Sequence, residues 1–461
     1  MSLSARLGYD PMQQQPAAAE HAEPAATAAA HRYRAAGRQS ADPVYEVRLR
    51  IQRRLADELG PTLYTNRAHE EDLTARVREV LNDLLAREET PLSGADRARI
   101  TKEVIDEVLG HGPIEPLLRD PSITEVMCNG PKSIYAERYG RLERTEVEFD
   151  DEGHLRRIID RICARVGRRV DEASPMVDAR LPDGSRVNAI VPPIALDGAS
   201  LTIRKFAAVP LTVGDLISYA TLNRQAAEFL EACVRGRRNV VVSGGTGSGK
   251  TTILNVLSSF VPHDERIVTI EDAAELQLVQ DHVVRLESRP SNSEGRGTVT
   301  SRDLVRNALR MRPDRIVVGE VRDAAALDML QAMNTGHDGS LTTLHANTPR
   351  DALSRLETMV LMAGMDLPSR AIRDQIAAAV ELIIQVQRFK DGSRKVTHIT
   401  EVVGMEGDVI TMQDLFVFEV NADTPMHMAS LKPTGVRPRF VDTLAMYGVT
   451  LPPNMFLGGR I

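Results

Sequence analysis

Residues 239–257 combine a buried strand, a glycine-rich loop and a helix in direct succession. Asn239–Ser243 reads NVVVS, and the nine residues after it read GGTGSGKTT, which matches G-x-x-x-x-G-K-[ST] in full. A helical apolar spacing follows at Ile253, Val256 and Leu257. Glycines in such a loop let backbone N–H groups turn toward a phosphate, and the helix N-terminus adds positive potential. Because an ordinary glycine-rich turn would not require this spacing, the sequence predicts a phosphate-binding loop.

The loop supplies its own candidate ligands for a nucleotide. We expect Lys250 to neutralise the β- and γ-phosphates of ATP and Thr251 to offer its hydroxyl to Mg²⁺. The full set of predicted nucleotide-binding residues is Gly244, Gly245, Thr246, Gly247, Ser248, Gly249, Lys250, Thr251 and Thr252.

Two further apolar strands end in carboxylates. The run RIVV at Arg315–Val318 leads through a glycine into Glu320, and the run IVTI at Ile267–Ile270 leads into Glu271. Ligands of open parallel sheets bind at the carboxyl ends of the strands, so both acids are expected beside the phosphate loop. Glu320 would hold Mg²⁺ through water or polarise the attacking water, and Glu271 is the preferred general base or water positioner. A surface glutamate at a strand end remains the alternative for Glu320.

Two histidines lie eight positions apart in residues 335–347, which read TGHDGSLTTLHAN. This is not the spacing of a metal-binding pair on one helix face. The glycines and hydroxyls favour a strand between turns, with His337 as a candidate sensor of the γ-phosphate or of a neighbouring subunit. A structural histidine remains the alternative at each position.

The composition limits the partners. The net charge is −7, from 57 basic and 64 acidic residues, and aromatic residues make up 4% with no Trp. Stacking surfaces for single strands are therefore not expected, nor is direct nucleic-acid binding. Three isolated cysteines favour reduced thiols. We find no signal peptide and no apolar run of the roughly 20 residues that a spanning helix needs, so we expect a cytoplasmic protein whose membrane contact runs through partners.

The pattern along the chain predicts several units. Apolar residues at three- and four-residue steps indicate three amphipathic helices, short strands around one helix follow, and strands then alternate with helices. Pro210–Asp215 is interpreted as a hinge. The predicted organisation is a disordered tail (1–42), a three-helix bundle (43–111), a small α+β domain (112–209), an α/β domain with a parallel sheet (210–430) and an irregular, partly helical tail (431–461).

Taken together, four segments resemble the secretion traffic ATPases of type II and type IV systems. The resemblance covers about residues 112–430, and the order of the segments is far more specific than any one of them. They are a Walker A box GGTGSGKTT (244–252), an Asp box TIEDAAEL (269–276), a Walker B region LRMRPDRIVVGEVRD (309–323) and a His box TGHDGSLTTLHANTPRDALSRL (335–356).

Within that family, the sequence is most similar to the CpaF/TadA branch of tight-adherence pilus ATPases. Residues 123–143, 180–193 and 201–206 resemble the N-terminal domain of that branch, and residues 435–456 resemble its ending. The four-cysteine zinc insertion of the type II ATPases is missing. A VirB11-like ATPase of a DNA- or effector-exporting system is a close relative that the sequence does not exclude.

The resemblance implies a RecA-like P-loop ATPase domain preceded by a small PAS-like α+β domain. It also implies that ATP lies between the two domains and that arginines of the first domain close on the phosphates. Arg180, Arg186 and Arg204 match those family positions, and a guanidinium group can grip phosphate oxygens bidentately. A surface arginine on a strand is the alternative for each. Arg322 is a further candidate, whose alternative is a salt bridge.

Three functions follow from the resemblance. The first is a hexameric ATPase motor, peripheral at the inner face of the cell membrane, that drives pilus assembly, with or without retraction, through an inner-membrane platform protein. The second is the same enzyme in a conjugation-type secretion channel. The third is a nucleotide-dependent assembly module with little turnover, which the intact Glu271, Glu320 and His box disfavour.

Overall fold

The computed structural model describes residues 43–65, 70–206, 210–289, 291, 296–419 and 430–457. The disordered tail predicted for residues 1–42 lies outside the described residues. Within these ranges, no helix combines the length and the apolar character needed to cross a membrane.

The first unit is a three-helix bundle. Its helices are α1 (Pro43–Thr65), α2 (Glu70–Ala86) and α3 (Gly94–Val108). The apolar positions predicted from the helical spacing face one another, with Ile51, Leu55, Leu81 and Ile100 fully buried. The Ser93 hydroxyl accepts a hydrogen bond from the Asp96 N–H and so caps α3.

The second unit, here the small domain, is an antiparallel sheet covered by a helix. Its elements are α4 (Glu115–Arg119), β1 (Ile123–Asn129), β2 (Ile134–Arg138), β3 (Arg141–Arg144), α5 (Glu152–Arg165), β4 (Met176–Arg180), β5 (Arg186–Ile190) and β6 (Ser200–Arg204). The strand order is β3-β2-β1-β6-β5-β4. Helix α5 buries Leu155, Ile158, Ile159 and Ile162 against the sheet, which is the apolar stripe that its spacing predicts.

The third unit, here the large domain, is built on a nine-stranded sheet. Its elements are α6 (Val213–Ser218), α7 (Arg224–Arg235), β7 (Val240–Gly244), α8 (Lys250–Ser258), β8 (Ile267–Glu271), β9 (Val283–Glu287), α9 (Ser301–Ala308), β10 (Arg315–Val318), α10 (Ala325–Asn334), β11 (Leu341–Leu344), α11 (Pro349–Leu361), α12 (Ser369–Ala379), β12 (Leu382–Arg388), β13 (Arg394–Glu406), β14 (Val409–Glu419), β15 (Ser430–Pro433) and α13 (Val441–Leu444).

The sheet order is β15-β14-β13-β12-β7-β11-β10-β8-β9, with parallel pairing from β12 to β9 and antiparallel pairing from β12 to β15. Side chains of β7 alternate between two cores, since Val240 and Val242 pack on one face and Val241 on the other. This is the RecA-like α/β architecture that the sequence predicted. The parallel strands bring their carboxyl ends to one edge, which therefore positions the functional site.

The C-terminal segment has more order than the sequence indicated. Strand β15 pairs with β14, and Phe440, Leu444 and Phe456 are buried in the core of the large domain. The Phe456 ring lies 5.4 Å, centroid to centroid, from the ring of Phe229 on α7. This burial could not be predicted from local sequence, because the apolar residues of the segment follow no regular period.

The segment interpreted as a hinge is helical in its second half. Helix α6 begins at Val213 and is capped by Thr212, whose hydroxyl accepts from the Asp215 N–H while the Asp215 carboxylate accepts from the Thr212 N–H. A capping box of this kind fixes the start of a helix. Any hinge in this region therefore lies before Thr212.

Candidate active site

The phosphate loop connects β7 to α8, as predicted. Gly247 and Gly249 have positive φ values of 68° and 96°, a conformation that residues with a side chain avoid. A Cβ atom at Gly244 would lie 2.4 Å from the Val386 carbonyl oxygen and 2.6 Å from the Ser248 hydroxyl oxygen. The glycines are therefore required by the path of the backbone and by the packing of β12 against the loop.

A chain of polar contacts joins the loop to the end of β10. The Lys250 ammonium donates to the Gly245 carbonyl oxygen at 3.0 Å and lies 3.2 Å from His345 Nε2. Since an ammonium group can only donate, Nε2 accepts, and the proton on Nδ1 is donated to the Glu320 carboxylate. The other oxygen of Glu320 accepts from Arg322 at 2.7 Å. Lys250, His345, Glu320 and Arg322 thus form one connected network.

The charges of this network shift the pKa values of its members. Burial lowers the pKa of Lys250; Glu320 opposes that effect, and the positive charges of Arg322 and Arg204 add to it. Burial would raise the pKa of Glu320, but the hydrogen bonds from Arg322 and His345 and the charge of Arg322 bring it below its ordinary value. Glu320 is therefore an anion at neutral pH and is held beside the phosphate loop.

Glu271 ends β8 next to the Glu320 strand and is buried. One carboxylate oxygen accepts the N–H groups of Glu275 at 2.7 Å and Leu276 at 2.9 Å. The other oxygen is buried without a hydrogen-bond partner among the described residues. Burial raises the pKa of Glu271, and the two backbone N–H groups oppose the rise. A Cβ atom at Gly319 would lie 2.9 Å from Glu271 Cγ, so the glycine before Glu320 leaves the room that Glu271 occupies.

The three predicted arginines lie in one row across the small-domain sheet. Arg180 pairs with Arg186, Arg186 with Arg204, and Arg204 with Glu125 in the register of β4, β5, β6 and β1. Arg204 is exposed and close enough to Lys250 to lower the pKa of that ammonium group. Arg180 and Arg186 instead contact Glu287 and Glu275 of the large domain. The structure thus brings only Arg204 of the three toward the phosphate loop.

His337 does not lie at this edge of the sheet. Strand β11 starts at Leu341, which pairs with Val240 at the start of β7, so the loop before β11 lies at the amino edge. That edge is roughly 13 Å from the carboxyl edge across a four-residue strand. The loop is fixed there by the Asn239 side chain, whose oxygen accepts the N–H groups of Gly339 and Ser340. His337 is therefore distant from the phosphate loop of its own chain, and its role as a sensor of the γ-phosphate or of a neighbouring subunit stays a prediction.

Sequence reasoning missed two contributors. His345 follows β11 at the carboxyl edge, and the strand-end rule applied to Glu271 and Glu320 selects it over His337. Arg394 starts β13 and donates to the Gly247 carbonyl oxygen at 2.9 Å, while also lying 3.7 Å from Glu137 of the small domain. No local motif marks Arg394, because its position depends on how the β12–β13 hairpin docks.

A cleft of about 430 Å³ opens beside the phosphate loop. Its walls come from both domains, and they include Tyr139 of the small domain, Tyr219 after α6, and Ser248, Thr252 and Arg394. Small-molecule sites usually have a volume of roughly 300 Å³ or more, so the cleft is large enough to be one.

The residues present fit a magnesium nucleotide. The Ser248 hydroxyl in the loop and one oxygen of Glu271 are buried without a hydrogen-bond partner among the described residues, which leaves both available to a ligand shell. Thr251 lies in the first turn of α8, and Glu320 follows β10 at the same carboxyl edge of the sheet. Oxygen ligands of this kind are those that Mg²⁺ prefers, with water in the remaining positions.

Comparison with known proteins identifies a family that covers most of the chain. The profile of the family described as "Type II/IV secretion system protein" matches residues 107–411. A putative conjugal transfer protein of Mycobacterium tuberculosis is 40% identical over 309 residues, which are 66% of this chain and 87% of that protein. The type IV secretion system protein VirB11 of Bartonella quintana is 30% identical over 329 residues, covering 62% of this chain and 90% of that protein.

Among solved structures, the VirB11 ATPase of the Brucella suis type IV secretion system is 30% identical, covers 62% of this chain and 94% of that chain, and has a TM-score of 0.35. The family profile alone spans well over half of the chain. We conclude that the chain belongs to the family of type II/IV secretion system proteins and that it is a P-loop ATPase.

Proposed function

We propose that this ATPase powers a type IV secretion machine of the conjugation or effector-export kind. The observation that carries the catalytic part is the network of Lys250, His345, Glu320 and Arg322 at the carboxyl edge of the sheet. The relatives named as conjugal transfer proteins and as VirB11 support the secretion part. The enzyme would act as a hexameric ring, peripheral at the inner membrane, and pass its motion to membrane partners.

The hydrolytic step would use groups at the carboxyl edge of the large-domain sheet. Lys250 would leave His345 and Gly245 to neutralise the β- and γ-phosphates, while backbone N–H groups of the loop hold the remaining oxygens. Thr251, and Glu320 through water, would hold Mg²⁺, which would supply positive charge against the charge that develops on the phosphate oxygens. Glu271 would orient the attacking water with its unpaired oxygen, and Arg204 would add positive charge from the small domain.

A tight-adherence pilus motor is the second candidate. It is supported by the resemblance of residues 123–143, 180–193 and 435–456 to that branch. The two functions differ in their membrane partner, a pilus platform protein in one case and a secretion channel in the other. Co-purification of the full chain with each class of partner, cross-linked in membranes of the source cell, distinguishes them.

Phosphate release by purified protein tests the enzymatic core of the proposal. Lys250→Ala removes the charge that holds the transferred phosphate, so hydrolysis should fall to the background while the fold persists. Lys432→Ala is the matched control, since Lys432 is an exposed lysine of the same domain that pairs with Glu419. Wild-type turnover in a folded Lys250→Ala protein would refute the assignment. Wild-type protein with nucleotide affinity but negligible turnover would favour the assembly module.

A further inference from the structure

The hairpin of β4 and β5 reaches from the small domain onto the large domain through two arginines. Arg180 donates to the Glu287 carboxylate at 2.7 Å and also to the Ala274 carbonyl oxygen. Arg186 donates to the Glu275 carboxylate at 3.0 Å. Both side chains are therefore engaged with residues that follow or flank β8.

The segment that the arginines grip is the same one that holds Glu271. One oxygen of the Glu271 carboxylate accepts the N–H groups of Glu275 and Leu276. Glu287 reinforces the segment from β9, because its carboxylate accepts the Ala274 N–H at 3.0 Å. Residues 274–276 are thus clamped between Glu271 on one side and the two small-domain arginines on the other.

The hairpin is stiff enough to transmit position. Its turn is closed by the Leu181 N–H, which donates to the Ser185 carbonyl oxygen at 2.9 Å, and by the Asp183 carboxylate, which accepts the Ser185 N–H at 2.9 Å and its hydroxyl at 2.8 Å. The Ser185 hydroxyl in turn accepts the Phe206 N–H at 3.1 Å. These bonds tie the turn to the end of β6, so both arginines move with the small domain as a body.

We propose that Arg180 and Arg186 are positioning residues for Glu271, which reaches its working orientation only while the small domain is docked on residues 274–276. This inference rests on the proposed ATPase function and deepens it. Domain closure then has two separate effects at the site. Arg204 brings charge toward the phosphate loop, and the hairpin arginines set the carboxylate that orients water.

A charge swap separates this role from direct phosphate contact. Arg186→Glu and Glu275→Arg are each expected to lower kcat by about 10- to 100-fold, the range for a misplaced catalytic group, with ATP affinity changed less than about twofold. The double variant Arg186→Glu/Glu275→Arg restores the ion pair in reverse and should recover kcat to within about threefold of wild type. Arg169→Glu is the matched control, because Arg169 is an exposed arginine of the same domain that pairs with Asp171.

Hydrogen exchange provides a readout that does not depend on turnover. The amide hydrogens of Glu275 and Leu276, which are hydrogen-bonded to the Glu271 carboxylate, should exchange faster in Arg186→Glu and in the milder Arg186→Gln. Their exchange should return to the wild-type rate in the double variant. Loss of ATP affinity in Arg186→Glu that the swap does not restore would overturn the inference in favour of phosphate contact. Unchanged exchange of the two amides in Arg186→Gln would also overturn it. Hydrolysis that Lys250→Ala does not lower would instead refute the proposed function, and the exchange comparison would still decide the positioning role.

Discussion

A buried histidine between the bundle and the small domain makes the stability of that junction depend on pH. His154 lies on α5, with Nε2 2.9 Å from the Glu107 carboxylate of α3 and Nδ1 3.3 Å from the Asp150 carboxylate. Arg161 also faces Glu107 at 3.5 Å, and Arg48 of α1 faces Asp150 at 3.5 Å. Two carboxylates and three basic side chains thus share the junction.

The size of the effect follows from the pKa of His154. Burial alone would lower this pKa, but the hydrogen bonds and charges of Asp150 and Glu107 raise it to about 9 from the ordinary value of 6.5. Each pKa unit corresponds to about 1.4 kcal/mol, so the charged imidazole adds about 3 kcal/mol to the free energy of unfolding. Because the folded-state pKa is the higher one, this contribution is complete below pH 6.5 and is lost as the pH rises through 9.

Tryptophan fluorescence can measure this loss, because the chain contains no Trp and a single introduced Trp would be the only source of the signal. A single reporter, Leu109→Trp, would be placed at the end of α3, where the Leu109 carbonyl oxygen accepts a hydrogen bond from Arg165 of α5. Urea titrations at pH 6.5 and 9.5 should give a lower unfolding free energy at pH 9.5, by up to about 3 kcal/mol. The same titrations with His154→Gln added should show a much smaller difference. An equal pH dependence in the two proteins, or stability that rises with pH, would refute the reasoning.

Further predictions concern the active site. Glu320→Gln should keep the affinity for ATP but trap the bound nucleotide without hydrolysing it. Filter binding measures the affinity and single-turnover kinetics measure the hydrolysis, and unchanged hydrolysis would show that the role of Glu320 is assigned wrongly. His345→Ala should raise the KM for ATP less than it lowers kcat, because it frees Lys250 but removes the link between Lys250 and Glu320. Steady-state kinetics test this, with His398→Ala as the control variant. Arg204→Ala should lose roughly 100-fold or more in kcat with a small change in affinity, as for other arginines that act on a developing phosphate charge. Specific activity should fall as the protein is diluted and rings dissociate into monomers, which light scattering follows. Specific activity that stays constant while the protein dissociates would refute a mechanism that needs the ring.

Sequence reasoning located the phosphate loop and the two glutamates because each sits in a local pattern. The loop has a full motif between a strand and a helix, and Glu271 and Glu320 each follow an apolar strand. The same rule identifies His345, because this histidine directly follows the buried strand β11. His337 precedes the same strand, so this rule places it at the opposite edge of the sheet.

The parts that sequence reasoning did not predict depend on contacts between distant segments. The sequence predicts phosphate contact for Arg180 and Arg186 but not their pairing with Glu287 and Glu275, which lie 107 and 89 positions away and are set by domain docking. No periodicity in β4 or β5 encodes such a pairing. Arg394 was missed for the same reason.

The burial of the C-terminal segment also determines when the large domain can be completed during synthesis. The Gln225 side chain donates to the Met455 carbonyl oxygen across 230 positions, and the ring of Phe229 is covered by Phe440 and Phe456. A nascent chain therefore exposes one face of α7 until those residues leave the ribosome, which at 5 to 20 residues per second takes roughly 10 to 50 seconds. Apolar surface exposed for that time is a substrate for chaperones, so a ribosome-bound chain stalled before residue 440 should be held by them.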